Sequence, residues 1–313
     1  MNFASSEEEI VRSVRALSGV PSSRGPSDAS VLAGVRGFVA AFDYWYIRVM
    51  REAVPDYRDV IIRRINPFIR LIELEGCTAN QAADRLVEDH NNRNFVTAGG
   101  WALEEMAVTT SPTSQKGSAA GIDVQRFNPE TGAYHLYVLK SGLVTRNSDI
   151  LKALKRHARQ AEKTLLQGRS TGSVEVNYAI AAGKTTSTFE DGIRRPSSAE
   201  FWGEMMDLAP SDGVELAFAI AAEAGRLVRR DASKHIKAMK VLVGEYISAE
   251  DRSSIDWSFI KVRNMQVRSA WREEDKRRHK WALGVLASTG YNPDEDIPAA
   301  QRLLGEPDGH GNA

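Results

Sequence analysis

Two acidic residues and a lysine stand where they could act together on a phosphate ester. Lys140 ends a hydrophobic run that is typical of a strand, and Asp123 lies in a shorter strand-like run upstream. Glu104 lies further upstream, in a segment with the pattern of a helix. An acid on a helix, an acid on one strand and a lysine on the next strand suit Mg²⁺-dependent cleavage of a phosphodiester.

Each of these residues has a role in such chemistry. Asp123 would be the central metal ligand, and Glu104 would add a second carboxylate, directly or through water. The Leu139 carbonyl would be a further ligand. Lys140 would orient or activate the attacking water, or stabilise charge on the phosphate. We expect Mg²⁺ as the cofactor, with Mn²⁺ as a substitute. An Asp and a Lys on neighbouring strands also occur as a plain ion pair, and that alternative stays open here.

Composition narrows the class of protein. The 313 residues include 41 basic and 41 acidic ones, so a nucleic-acid surface must come from local clustering of charge. Cys77 is the single cysteine, which excludes an intrachain disulfide and fits a cytoplasmic location. No run approaches the ~18 apolar residues of a membrane span. The acidic N-terminus lacks the basic-then-apolar order of a signal peptide.

Hydrophobic periodicity predicts a mixed α/β core with helical additions at both ends. Strands are predicted at 121–127, 133–140 and 173–181. A turn at 128–132 joins the first two strands. Helices are predicted at 5–19, 28–52, two or three within 57–90, then 99–108, 148–167 and most of the chain after 197.

Two helices carry surfaces of interest. The apolar and aromatic face of the helix at 28–52 indicates either core packing or a dimer interface. Residues 140–169 contain eight Lys or Arg against two acids, and helical spacing places several of them on one face. That face is either a phosphate-binding stripe or a solvated surface. The predicted DNA-binding residues are Lys152, Lys155, Arg156, Arg159, Lys184 and Ser141; for Ser141 the alternative is a helix cap, and for Lys184 a strand end.

A series of short motifs follows in order along the chain: Ile65–Phe68, Leu86–Val87, Thr97–Glu104, Gly121–Asp123, Val138–Gly142, Ala182–Thr185 and Phe201–Trp202. Together they resemble type II restriction endonucleases of the PmeII-like group, within the PD-(D/E)xK nuclease superfamily. The resemblance covers roughly residues 60–225. It implies a restriction-endonuclease-like fold, a central mixed β-sheet flanked by helices, with a divalent-metal site and DNA as substrate.

The resemblance also assigns residues by position. Asp123 matches the first acid of the family motif, Lys140 matches its lysine, and Glu104 matches the helix acid, with Glu105 as the alternative in register. The chain departs from the superfamily pattern at Val138, where an Asp or Glu is usual. Valine has no group that binds a metal, so the site depends on Glu104 for its second carboxylate.

The sequence thus predicts a helical N-terminal extension at 1–58, a nuclease domain at 59–225, a helical region at 226–300 and a disordered tail at 301–313. The predicted function is Mg²⁺-dependent cleavage of duplex DNA in restriction or anti-phage defence, by a homodimer or with a partner protein. The alternative is a non-catalytic or partner-activated DNA-binding subunit with a degenerate site. A preference for RNA or single strands is also open.

Overall fold

The computed structural model describes residues 6–117, 120–142, 152–153, 155–157, 159–163, 173–183, 186–190, 192–250, 253–265 and 271–292. These residues form two compact units, each assembled from separate stretches of chain. Unit 1 contains the described residues of 1–42 and 98–227, and unit 2 those of 43–97 and 228–298. The predicted division into an extension, a nuclease domain and a helical region stays a prediction. The predicted tail at 301–313 lies outside the described residues.

Unit 1 contains a six-stranded mixed sheet. Its strands are β1 (Ser114–Lys116), β2 (Val124–Asn128), β3 (Ala133–Lys140), β4 (Val174–Ile180), β5 (Thr188–Glu190) and β6 (Ile193–Arg195). They lie in the order β1-β2-β3-β4-β6-β5. The central pairs β3–β4 and β4–β6 are parallel, and the outer pairs are antiparallel. Helices flank the sheet, so the predicted restriction-endonuclease-like α/β fold class is confirmed.

The two faces of the sheet pack against different helices. On one face, a hydrophobic cluster joins the strands to Ala161 of helix α7, which includes the described residues 152–153, 155–157 and 159–163. On the other face, Tyr137 stacks edge-on against Phe201 of helix α8, with ring centroids 5.5 Å apart. The Trp202 indole N–H donates to the Ala181 carbonyl at 2.8 Å. Period-two alternation along β3 thus supplies both layers.

The remaining helices divide between the two units. The helices outside α7 are α1 (Glu7–Ser18), α2 (Asp28–Phe42), α3 (Arg48–Ala53), α4 (Tyr57–Val60), α5 (Pro67–Glu73), α6 (Ala79–Thr110), α8 (Ser198–Met206), α9 (Pro210–Ile247), α10 (Trp257–Met265) and α11 (Arg272–Ser288). The boundaries between the units fall inside α6 and α9. No helix of the described residues is both long and apolar enough to cross a membrane.

The N-terminal helices are part of the core of unit 1. Ser6 and Glu9 form a capping box at the start of α1, as the sequence predicts. The apolar face of α2 is buried, including Val31, Val35 and Val39, each with no exposed surface. Intrachain packing therefore accounts for this part of the face. Tyr44 and Trp45 further along the predicted helix are exposed, and a dimer interface there stays a prediction.

Two of the predicted helices differ from the observed ones. A π-helical turn at Asp43–Ile47 interrupts the predicted helix at 28–52. The predicted separate helix at 99–108 is the C-terminal third of α6, which runs without a break from Ala79 to Thr110. Gly99 and Gly100 lower the helix propensity at the point where a boundary was expected. They do not end the helix, since packing of the flanking turns maintains it.

Unit 2 is organised around a buried cluster of charges. Asp275 accepts a hydrogen bond from the Arg58 guanidinium at 2.6 Å and lies 3.2 Å from Arg263. The Tyr246 hydroxyl also donates to Asp275. Tyr246 is fully buried, and its ring lies edge-on to that of Tyr57, with centroids 5.5 Å apart. The cluster therefore joins the two stretches of chain that form unit 2.

Candidate active site

Asp123 is fixed at the start of β2 by backbone and side-chain hydrogen bonds. Its N–H donates to the Tyr137 carbonyl at 2.9 Å, which continues the ladder with β3 by one residue. Its carboxylate Oδ2 accepts the Leu139 N–H at 2.7 Å. The preceding Ile122 is buried in the hydrophobic cluster. The carboxylate is therefore held against the end of β3 rather than free in solvent.

Leu139 and Lys140 end β3 beside this carboxylate. In a strand, the N–H and C=O of one residue point to the same edge. Because the Leu139 N–H faces Asp123, the Leu139 carbonyl lies on the Asp123 side of β3 as well. The Lys140 carbonyl accepts the Ala181 N–H at 2.7 Å, which fixes the other edge of the same strand end. The Lys140 side chain is half-buried.

Helix α6 brings Glu104 to the same place. Burial, together with the nearby charge of Asp123, raises the pKa of Glu104 to about 7. The charges of Lys140 and Lys116 act in the opposite direction. The helix approaches the end of β3 closely, because a Cβ at Gly100 would lie 4.0 Å from the Ser141 Cβ. The structure thus brings together the helix acid, the strand acid and the lysine that the sequence singled out.

The pKa of Asp123 is also raised. Burial raises it, while the Leu139 N–H and the charge of Lys140 partly oppose this effect. Burial disfavours the charged form of both half-buried carboxylates, and the charge of Asp123 adds to this effect at Glu104. A cation bound between them would relieve both effects, and one lysine alone does not.

The oxygen atoms of the predicted ligands, Asp123, Glu104 and the Leu139 carbonyl, would suit Mg²⁺, which prefers oxygen ligands and retains several waters. In the part of the chain that the structure describes, no group of three or more His, Cys, Asp or Glu could hold a metal ion. A pair of carboxylates would suffice for a metal that keeps part of its water shell.

Val138 occupies the position where the superfamily usually has an acid. Its side chain is 8 % exposed and packs in the hydrophobic cluster with Leu136, Ala161 and Tyr178. A carboxylate here would replace core packing on the α7 side of the sheet. The valine side chain therefore contributes to core packing, and the prediction that Glu104 supplies the second carboxylate is compatible with this.

Glu104 and its neighbour Glu105 have different main interaction partners. The Glu105 Oε2 lies 2.7 Å from the Lys116 Nζ, on the edge strand β1. Glu104, in contrast, interacts electrostatically with Asp123 and Lys140. This geometry favours Glu104 as the metal-binding acid, while the role itself stays a prediction.

The predicted DNA-binding residues fall into three groups. Lys152, Arg156 and Arg159 are exposed on α7, at helical spacing that places them on one face. Lys155 on the same helix is half-buried, and Ser141 is exposed directly after Lys140. Lys184 lies outside the described residues. The structure thus keeps a basic face on α7, opposite the buried Ala161.

Sequence reasoning missed one charged residue at the site. Lys116 lies on β1, between the predicted helix at 99–108 and the predicted strand at 121–127, where the sequence predicts no strand. The strand has only the residues Ser114–Lys116, too few for a period-two pattern. The sequence does contain one signal that could have identified Lys116, because this lysine lies shortly before the Gly121–Asp123 motif.

The fold defines a restriction-endonuclease-like protein, with an acidic and basic cluster at the ends of β2 and β3. The family model described as type II restriction endonuclease EcoO109I matches residues 51–210, just over half of the chain. The chain therefore belongs to this family. The matched span contains Glu104, Asp123, Leu139 and Lys140. No curated protein matches the chain.

Proposed function

We propose that this protein is a Mg²⁺-dependent endonuclease that hydrolyses phosphodiester bonds in duplex DNA. The observation that carries the proposal is the convergence of Glu104, Asp123 and Lys140 at one end of the sheet. Membership of a type II restriction endonuclease family supports duplex DNA as the substrate.

Each residue has a distinct task in this reaction. Asp123, Glu104 and the Leu139 carbonyl would hold Mg²⁺, with Mn²⁺ as a substitute. When bound, the metal would supply positive charge to the phosphate and to the leaving oxygen. The Lys140 ammonium would orient the attacking water and offset the negative charge that develops on the phosphate. The Leu139 N–H keeps the Asp123 carboxylate in place for this task.

The basic face of α7 would bind the DNA backbone. Lys152, Lys155, Arg156 and Arg159 would contact phosphates, as would Ser141 beside the site and Lys184 after β4. Contacts of this kind fix the position of the duplex without reading its sequence. These residues would therefore contribute to DNA affinity, and other parts of the protein would contact the bases.

The wider context is part of the same proposal. We place the protein in the PmeII-like group of the superfamily, on the motifs quoted above, and in restriction or anti-phage defence in the cytoplasm. A homodimer would supply a second site for the second strand of the duplex. A partner protein in a defence system would be compatible with the same site.

Plasmid cleavage by the purified protein tests the proposal. Cleavage is expected with Mg²⁺ or Mn²⁺ and not with EDTA, and Asp123→Asn, Glu104→Gln and Lys140→Gln should each lower the rate by at least ~100-fold. Glu130→Gln, in the exposed turn between β2 and β3, is the matched control and should cleave like the wild type. Cutting that persists in EDTA, or in all three variants, would reject the assigned site.

The burial of Val138 favours one alternative function. A chain that has lost the usual acid to core packing would bind DNA without cutting it, or cut only when a partner protein is present. Binding of duplex DNA by a wild-type protein that shows no cleavage with either metal would support this alternative. Cleavage by the wild type alone would exclude it.

A further inference from the structure

Lys116 is anchored beside the catalytic acid by the backbone of β1. It is the last residue of this edge strand, and its register partner is Val124, which directly follows Asp123. The next residue, Gly117, donates its N–H to the Asp123 carbonyl at 3.3 Å. The backbone at Lys116 is therefore attached to the segment that carries a proposed metal ligand.

Gly117 makes this attachment close. A Cβ at this position would lie 2.0 Å from the Ile122 carbonyl oxygen, well inside any real contact. Only glycine lets the two backbones approach in this way. The close approach limits how far the end of β1 can move away from Asp123.

The Lys116 side chain is exposed but not free. It is 75 % exposed, and its Nζ lies 2.7 Å from the Glu105 Oε2. Glu105 is the better fixed partner, because its side chain is 24 % exposed and its Cγ lies 3.3 Å from the position of a Cβ at Gly37 on α2. The charge of Lys116 also acts to lower the pKa of Glu104, so the ammonium group lies near this carboxylate.

An exposed ion pair of this kind contributes little to stability, because water screens both charges. A phosphate group offers a lysine a full negative charge and several oxygen acceptors. Lysine carries its charge on a flexible stem and can change partner without movement of the backbone. Replacement of Glu105 by a phosphate at Lys116 is therefore energetically easy, at a place where the substrate backbone must pass.

We propose that Lys116 binds a phosphate of the DNA backbone beside the one that is cleaved, and that Glu105 holds its side chain in position before DNA binds. The inference rests on the proposed function and extends it to a residue outside the metal-binding acids and the α7 face. The ligand is the phosphodiester backbone, so the contact carries affinity without base specificity.

The salt dependence of DNA binding by the full-length protein tests this inference. Fluorescence anisotropy with a labelled duplex gives Kd at several salt concentrations, in Ca²⁺ buffer with the DNA checked for cleavage. Lys116→Gln should raise Kd about threefold to tenfold and reduce the slope of log K against log salt by about 0.9, since one phosphate contact is lost. Lys116→Arg should restore the slope. Glu105→Gln should keep it, because the phosphate-binding charge remains.

Arg24→Gln is the matched control. Arg24 forms a similarly exposed pair with Asp212 at 3.3 Å, with side chains 60 % and 29 % exposed, and it has no assigned role in DNA binding. This variant should keep the wild-type Kd and slope. If Lys116→Gln behaves like Arg24→Gln while the wild type binds and cleaves DNA, the inference on Lys116 alone is overturned. Absence of DNA binding by the wild type would overturn the proposed function together with it.

Discussion

Glu104 is a residue whose charge the folded protein disfavours. Burial and the neighbouring Asp123 raise its pKa from 4.5 to about 7, so at neutral pH the folded state retains a proton that the unfolded chain releases. Such a group destabilises the fold once the pH exceeds its unfolded pKa. The proposed metal site would account for this property, because carboxylates placed to bind a cation are destabilised without it.

The stability of the protein in EDTA should therefore depend on Glu104 in a defined pH window. The penalty is absent below about pH 4.5, grows as the pH rises towards 7, and is complete above it. Glu104→Gln should raise the free energy of unfolding by about 1–2 kcal/mol at pH 8, a value reduced for solvent screening of a half-buried group. Thermal unfolding at both ends of the window measures this difference.

The control for this comparison is Glu130→Gln, in an exposed turn, which should give no change with pH of comparable size. Addition of Mg²⁺ should raise the melting temperature of the wild type more than that of Glu104→Gln, since only the former retains the second carboxylate. If Glu104→Gln is less stable than the wild type at every pH, the charge of Glu104 does not destabilise the folded protein.

At the scale of elements, long periodic segments were predictable and short ones were not. The eight residues of β3 form a hydrophobic run, and the predicted strand at 133–140 has the same bounds as the observed one. The strands β1, β5 and β6 have three residues each, too few for a periodic signal. They form through pairing in the sheet, β1 with β2, β6 with β4 and β5 with β6. The prediction of a separate helix at 99–108 was wrong. The low helix propensity of glycine costs less free energy than the packing of α6 contributes, so the helix continues through it.

Residue type and the order of predicted elements selected Glu104, Asp123 and Lys140, and the structure brings these three residues close together. Their roles in catalysis stay predictions. The contact between Glu105 and Lys116 was not predictable, since it depends on an edge strand that the sequence does not indicate. The burial of Val138 against α7 likewise required the register of β3 with β4.

The crossing of α8 and α9 gives a test at the scale of elements. A Cβ at Gly213 on α9 would lie 2.5 Å from the Gly203 N and 2.6 Å from its Cα, both backbone atoms of α8. Gly213→Ala should therefore destabilise unit 1 by about 2–4 kcal/mol, since helix backbones must separate to accept the methyl group. Chemical denaturation followed by circular dichroism measures the change.

Gly225 on the same helix is the matched control. A Cβ there meets no atom within 4 Å, so Gly225→Ala should stabilise the protein by about 0.5–1 kcal/mol through helix propensity alone. Equal effects of the two substitutions would mean that the close crossing at Gly213 does not constrain the fold.

At the scale of the whole molecule, the charge cluster of unit 2 joins stretches that are distant in sequence. Burial raises the pKa of Asp275, but hydrogen bonds from Tyr246 and Arg263 and the charge of Arg58 outweigh this, and the net pKa is lowered. A lowered folded pKa means that Asp275 stabilises the fold above its unfolded pKa. That stabilisation is lost as the pH falls through the folded value.

Asp275→Asn should accordingly destabilise unit 2 by about 3 kcal/mol at neutral pH, because Arg263, with a side chain 7 % exposed, loses its carboxylate. The difference from the wild type should shrink as the pH falls below about 4. Hydrogen exchange of the amides in α10 and α11 reports the effect within this unit.

Glu273 provides the comparison on the same helix, since it pairs with Lys276 and both side chains are at least 70 % exposed. Glu273→Gln should change exchange by less than about 0.5 kcal/mol. A comparable loss in both variants would indicate that burial of the Asp275 cluster adds nothing to its strength.

The discontinuous assembly of unit 1 has a consequence for synthesis on the ribosome. The Ser13 hydroxyl of α1 donates to Glu223 of α9 at 2.9 Å, across 210 positions of sequence. At the usual translation rate of roughly 5–20 residues per second, α1 and α2 therefore wait roughly 10–40 s before this partner is synthesised. During that interval the apolar face of α2 has no complete place to dock, so nascent chains should depend on a holding chaperone that binds near the N-terminus.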